Sequence, residues 1–161
     1  MLPEALAENS SAIAVNSRVP EAIVDATITV DGPVLFIAPA HIVPVCRVLK
    51  EEVGFERLSA ITSVDWWPSE PRFEVVYFLH SLRHNARLRL SVKLGEGEQL
   101  DSVTEVWRGA NWYEREVFDL FGITFRNHPN LERIMMPADW EGYPLRKDYP
   151  VHGHKYSYQD E

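Results

Sequence analysis

Three carboxylates crowd one short stretch of the chain: Glu114, Glu116 and Asp119. Carboxylates so close can do acid–base work if burial and neighbouring charge push their pKa values apart. The plainer reading is a charged helix face whose acids hold arginines from elsewhere, since Arg115 already sits among them. Other chemical candidates are weaker. His128 precedes Pro129 in a turn-like context, where an imidazole is more often structural than a ligand. His152 and His154 make a metal-like pair, but no acid or cysteine stands at a fixed spacing from them. His80 and His84 flank an expected turn and carry no motif. The eight glycines form neither GxGxxG nor a P-loop, and no serine sits in a nucleophile elbow. Trp107, Trp112 and Trp140 read as core and interface rather than as a cofactor cradle. The single cysteine, Cys46, forms no internal disulfide and cannot supply the thiolates of an iron–sulfur cluster or zinc ribbon. It reads as a small buried apolar residue.

The carboxylates ride on an expected amphipathic helix. Tyr113, Val117, Leu120 and Phe121 share one face at helical spacing. Asn111 suits the N-cap, and Glu114, three residues on, suits a capping box. Gly122 suits the stop. Arg115 and Asp119, one turn apart, are expected to pair. Upstream, period-two alternation predicts strands over 24–30, 72–82 and 86–94; 34–38, after the Asp31-Gly32 turn signal, and 58–67, stopped by Pro68, read as two more. The last is the cleanest, with Arg87, Arg89, Ser91 and Lys93 on an outer face read as solvated or as a partner contact. Between the second and third strands a helix should start near Pro44 and end at Gly54. Ser102 and Glu105 have capping spacing for a further short helix over 102–107. Residues 1–18 should fray or hold a weak helix. The expected fold is α+β: a mixed or antiparallel sheet of about four or five strands, a covering helix, two short C-terminal helices and an irregular arm. The expected division is a tail over 1–18, a domain over 19–126 and an arm over 127–161.

That arm lacks any sustained period, and prolines recur at 129, 137, 144 and 150. Yet Trp140, Tyr143, Leu145 and Tyr149 are too apolar to favour water, and Arg146, Lys147 and Asp148 put charges between them. A disordered tail is normally poorer in aromatics. The arm should therefore pack against another surface. Arg146 is suited to a bidentate grip on a carboxylate.

The chain's 161 residues suffice for one domain with a real core. A net charge of −8 argues against a nucleic-acid partner, which needs a basic face. No signal peptide or bilayer-spanning window is visible, so a reducing, cytosolic-side setting is expected.

The run from Asn111-Trp112-Tyr113-Glu114-Arg115-Glu116 through Asp119-Leu120-Phe121-Gly122-Ile123, His128-Pro129, Arg133-Ile134 and Pro144-Leu145-Arg146-Lys147-Asp148-Tyr149-Pro150 closely resembles the 30-kilodalton subunit of respiratory complex I. Ser63-Val64-Asp65 and Phe73-Glu74-Val75-Val76-Tyr77-Phe78-Leu79 resemble it too. The resemblance implies a structural subunit of the peripheral arm of NADH–quinone oxidoreductase. That enzyme passes electrons from NADH through FMN and iron–sulfur clusters to quinone and couples this to proton translocation. The subunit itself would hold no cofactor. It would lie on the cytoplasmic side of the inner membrane, touching the membrane only through the complex. Its neighbours would be chiefly the large quinone-site subunit and the smaller cluster-bearing subunit. Residues expected at the interface are Glu114, Glu116, Trp140, Tyr143, Leu145, Arg146, Lys147, Asp148 and Tyr149, with the arm ordered largely on the partner. Equivalent subunits occur in membrane-bound hydrogenases and in ferredoxin- and deazaflavin-linked complexes. A reading of another class is a free-standing α+β enzyme using Glu114 and Asp119.

Overall fold

The computed structural model describes Leu6 and residues 8–151. The helix α1 (Ser10–Arg18) comes first. Two strands follow, β1 (Ile23–Thr29) and β2 (Gly32–Ile37), then α2 (Ile42–Val48), continued by a wider turn over Leu49–Val53. Next come β3 (Arg57–Asp65), β4 (Phe73–Ser81) and β5 (Ala86–Leu94). Two-residue strands β6 (Leu100–Asp101) and β7 (Phe125–Arg126) bracket α3 (Ala110–Phe121).

The main sheet has the order β1-β2-β5-β4-β3. All its neighbours run antiparallel except β2 and β5, which are parallel. This is the expected mixed α+β arrangement. The parallel pair follows from connectivity: β2 leaves the sheet through α2 and the chain returns to its other edge before β5 is laid down, and parallel strands need such a crossover. Pro44 stands in the first turn of α2, and Gly54 closes the following turn at φ 92°, where a side chain would be strained.

One sheet face makes the core. Val75, Tyr77 and Leu79 of β4 and Leu88, Leu90 and Val92 of β5 are buried in one cluster with Val45, Cys46 and Leu49 and with Val117 and Phe121 of α3. Each such side chain contributes about 1.5–3 kcal/mol by leaving water. Ala12 and Val15 of α1 join the same cluster, so the stretch expected to fray or hold a weak helix holds a packed one. The alternate residues of the sheet face away, and Phe78, Arg87 and Lys93 stay exposed.

Three local expectations fail. The segment 102–107 forms turns, not a second short C-terminal helix. Ser102 does not cap toward Glu105. Its hydroxyl donates to Glu114 Oε2 at 2.6 Å. α3 begins at Ala110 behind Gly109, with no side-chain cap, so the box of Asn111 and Glu114 is absent. Its Gly122 stop is present, with φ 75°. Arg115 and Asp119 do not pair. Arg115 donates to the Glu132 carbonyl and lies over the Trp112 ring, while Asp119 turns inward.

Candidate functional site

Three buried carboxylates organise the C-terminal third of the molecule. The first is Glu114, whose side chain has no exposed surface. The helical repeat aims it at the loop after β6. There Ser102 Oγ donates to Oε2 at 2.6 Å and the Val103 N–H donates to Oε1 at 2.7 Å. Burial pushes its pKa up to about 7, against those two hydrogen bonds. His128 Nε2 lies 3.8 Å from the carboxylate and 3.1 Å from the Asn111 carbonyl, while His128 Nδ1 accepts the Asn130 N–H. That pattern puts the imidazole proton on Nε2. Burial holds the ring below its usual pKa, so it stays neutral.

The second is Asp119, further along α3 and fully buried. Its Oδ2 accepts the N–H groups of Ile134, Met135 and Met136 at 2.9, 2.6 and 3.0 Å. Arg133 Nη1 donates to Oδ1 at 2.7 Å. Burial alone would raise the carboxyl, but the Met136 N–H, Arg133 and the other two amides outweigh it and hold Asp119 below the usual range.

The third is Asp65, at the end of β3. It accepts Arg72 Nε and Nη2 at 2.9 and 2.8 Å, and the N–H groups of Lys147 and Trp67. Burial opposes its ionisation, yet the Arg72 and backbone bonds pull it down to about 2. Arg72 reaches on to Glu96 at 2.6 Å and to Asp148 at 2.7 Å. Above this knot the rings and guanidinium groups stack. Arg72 lies over Phe73, Arg146 over both Phe73 and Tyr143, and Arg133 over Tyr143, at 4.8 to 5.2 Å from the ring centres.

The arm beyond β7 therefore rests on its own domain. Leu145 N–H donates to the Leu120 carbonyl and Arg146 Nε to the Phe121 carbonyl, answering groups left open at the end of α3. The expectation that the arm finds its order on another chain needs correcting: these polar groups find partners at home. Of the residues expected at an interface, Glu114 is buried, and Arg146, Lys147 and Asp148 bond within the chain. Glu116, Trp140, Tyr143 and Tyr149 are half-buried, and Leu145 is exposed. The free-standing enzyme loses its residues, because neither Glu114 nor Asp119 reaches solvent. His152 and His154 lie outside the described residues. Sequence reasoning gave no task to Arg72 or Glu96, and met Arg133 only within the run that carries the resemblance; the partners of these residues lie up to 76 residues away.

What these features define is an α+β domain whose buried acids are engaged internally and whose C-terminal arm is seated on two of them, Asp65 and Asp119. Among the described residues no helix is long and apolar enough to cross a membrane. The family described as respiratory-chain NADH dehydrogenase, 30 Kd subunit, matches residues 35–155. An NADH-quinone oxidoreductase subunit of Geotalea uraniireducens is 48% identical over 120 residues, covering 74% of this chain and 73% of that one. The protein of the same description from Citrifermentans bemidjiense is 40% identical over 150 residues, 92% of this chain and 93% of its own. The mitochondrial 30.4 kDa subunit of NADH-ubiquinone oxidoreductase from Neurospora crassa is 46% identical over 126 residues, 77% of this chain but 44% of its own length. Among solved structures, a chain of the membrane-bound sulfane sulfur reductase, an archaeal respiratory membrane complex, superposes with a TM-score of 0.73 at 25% identity, covering 87% of this chain and 84% of that one. The chain belongs to the family of the 30-kilodalton subunit of respiratory-chain NADH dehydrogenase.

Proposed function

We propose that the chain serves as a non-catalytic structural subunit of the peripheral arm of NADH–quinone oxidoreductase. In this reading it binds no redox centre, and FMN and the iron–sulfur clusters belong to other subunits. It stands against the large quinone-site subunit and the smaller cluster-bearing subunit, on the cytoplasmic side of the inner membrane. The observation that carries the reading is the arm itself. A segment without helix or strand, fixed by Asp65 and Asp119, holds Met135 and Leu145 out at 60% and 52% exposure. Large apolar side chains held in water by a rigid support are suited to the centre of an interface. Glu116 lies on α3, half-buried and available to a basic group of a neighbour.

Co-purification tests the reading. The full chain, expressed with the other peripheral-arm subunits, is expected to be retained by the large subunit and to show no flavin or iron absorbance when purified alone. Glu116→Ala is expected to weaken assembly more than it lowers the melting temperature of the free chain. A chain that purifies alone with stoichiometric flavin or iron would overturn the proposal.

A further inference from the structure

The sheet face turned away from the helices carries a basic cluster in an otherwise acidic protein. Arg57, His80 and Arg87 are directly opposite one another across β3, β4 and β5. In the next row, two residues on along β4 and β5 and three along β3, where the register shifts, Ala60, Phe78 and Arg89 stand side by side, with Val34 of β2 beyond Arg89. These residues line an open cavity of about 560 Å³. Its floor is apolar, from Val34, Ala60 and Phe78, and Phe78 is 39% exposed. Asp31 is the one acid among its lining residues.

Two features distinguish this cluster from an ordinary solvated face. Among the described residues, Arg57, Arg87 and Arg89 form no ion pair, whereas Arg72, Arg133 and Arg146 all do. Arg57 and Arg87 flank His80 from β3 and β5, and Arg89 follows Arg87 two residues on along the same face, so three guanidinium groups share one small area. The chain as a whole carries −8, so this concentration of arginines does not follow from a general excess of bases. An unpaired basic rim around an apolar floor is complementary to one kind of occupant: an extended segment whose acids alternate with apolar residues. Such a segment, lying edge-on between the two rows, turns its acids toward Arg57 and Arg87 and its apolar residues toward Ala60 and Phe78, because successive side chains of an extended chain point to opposite sides.

We propose that this sheet face is a docking site for an acidic, extended segment of another subunit, with Arg57, Arg87 and Arg89 pairing its carboxylates and Phe78 packing against its apolar side chains. The proposal rests on the subunit reading for the identity of the partner, but its chemistry is testable on this chain alone.

The first arm uses the full chain and a short, fluorescently labelled synthetic peptide alternating glutamate with valine. Binding is expected, and it should weaken at least about tenfold when ionic strength rises from about 0.01 M to 0.15 M. The counterpart alternating lysine with valine should not bind. The triple variant Arg57→Gln, Arg87→Gln, Arg89→Gln should lose binding at least about tenfold while its melting temperature stays close to that of the wild-type chain, since none of the three holds an ion pair in the fold. No binding by the wild-type chain, equal binding by the variant, or equal binding of the lysine peptide would overturn the site. The second arm places a photo-crosslinking benzophenone amino acid at position 78 in the assembled complex. Capture of a subunit segment bearing at least two acids supports the proposal, and capture of lipid or of a segment without acids overturns it. Failure of the wild-type chain to assemble would refute the subunit reading, and the peptide arm would still decide the site.

Discussion

Arg72 and Asp148 stand 76 residues apart in the chain and 2.7 Å apart in space. The contact closes the C-terminal arm onto the sheet, with Asp65 buried behind it at 2% exposure and Asp148 in front at 43%. Arg72 is the shared partner, and the two acids should respond differently to its loss.

Arg72→Met leaves the Asp65 carboxylate buried without its guanidinium. Stranding a buried charge in this way costs about 3–5 kcal/mol. Asp148→Asn removes only the solvent-facing pair and should cost no more than about 1 kcal/mol. Urea denaturation of both variants checks the ordering. Equal costs would mean that the buried pair is not the anchor.

Glu114 makes stability depend on pH. Its folded pKa of about 7 lies above the ordinary 4.5, so the native state holds a proton that the unfolded chain releases. The contribution is fully present below about pH 4.5, declines as pH rises from there, and is lost once pH passes about 7. The span corresponds to about 3 kcal/mol. Glu114→Gln keeps an acceptor for the Val103 N–H and should flatten this slope. Denaturation midpoints at about pH 5 and about pH 8 should therefore differ less in the variant than in the wild-type chain.

Gly122 has two reasons to be glycine. Its φ is 75°, and a Cβ there would stand 2.6 Å from Tyr143 Cε2 and 2.8 Å from Arg146 Nη2. Gly122→Ala should cost more than the ~1 kcal/mol of a left-handed residue alone, because Tyr143 and Arg146 must also shift. Amide exchange should accelerate through 143–149 while the strands keep their protection. Uniform acceleration across the sheet would contradict this placement.

Arg146→Lys should lower the melting temperature of the free chain. The guanidinium donates to the Phe121 carbonyl at 2.6 Å and to Glu96 at 3.0 Å, and lies over two rings. An ammonium cannot reproduce that fork or the stacking. A loss of about 1–2 kcal/mol is expected. An unchanged melting temperature would put Arg146 at an interface rather than within the fold.

The strands and α2 were legible because their information is local. Alternation in β4 and β5, Pro44 and Gly54 each act within a few residues. The resemblance carried by Asn111 to Pro150 was legible for the same reason of contiguity, and the family match confirms it. The tasks of Glu114 and Asp119 were not. Helical spacing offered Asn111 and Arg115 as partners, but both acids lie on the buried side of α3, where a nearby solvated cation is no substitute for amide donors. Their partners, Val103 and residues 134–136, stand 11 to 17 residues away, in segments with no period of their own. Only the folded chain brings these donors round. The arm was misread for a related reason: absence of periodicity says nothing about hydrogen bonds made to a helix end and to two carboxylates.

The three amides gathered on Asp119 have a kinetic consequence. Ordering a flexible segment on a partner costs about 1–2 kcal/mol per residue of backbone freedom and slows or redirects the encounter. Here an internal anion has already imposed the bend at 134–136, and the Leu120 carbonyl holds the Leu145 N–H, so Met135 and Leu145 arrive at any encounter in place. Association should then proceed as rigid-body docking, with rate constants of about 10⁵–10⁷ M⁻¹s⁻¹, and truncating Leu145 should shorten the lifetime of the complex while scarcely changing how fast it forms.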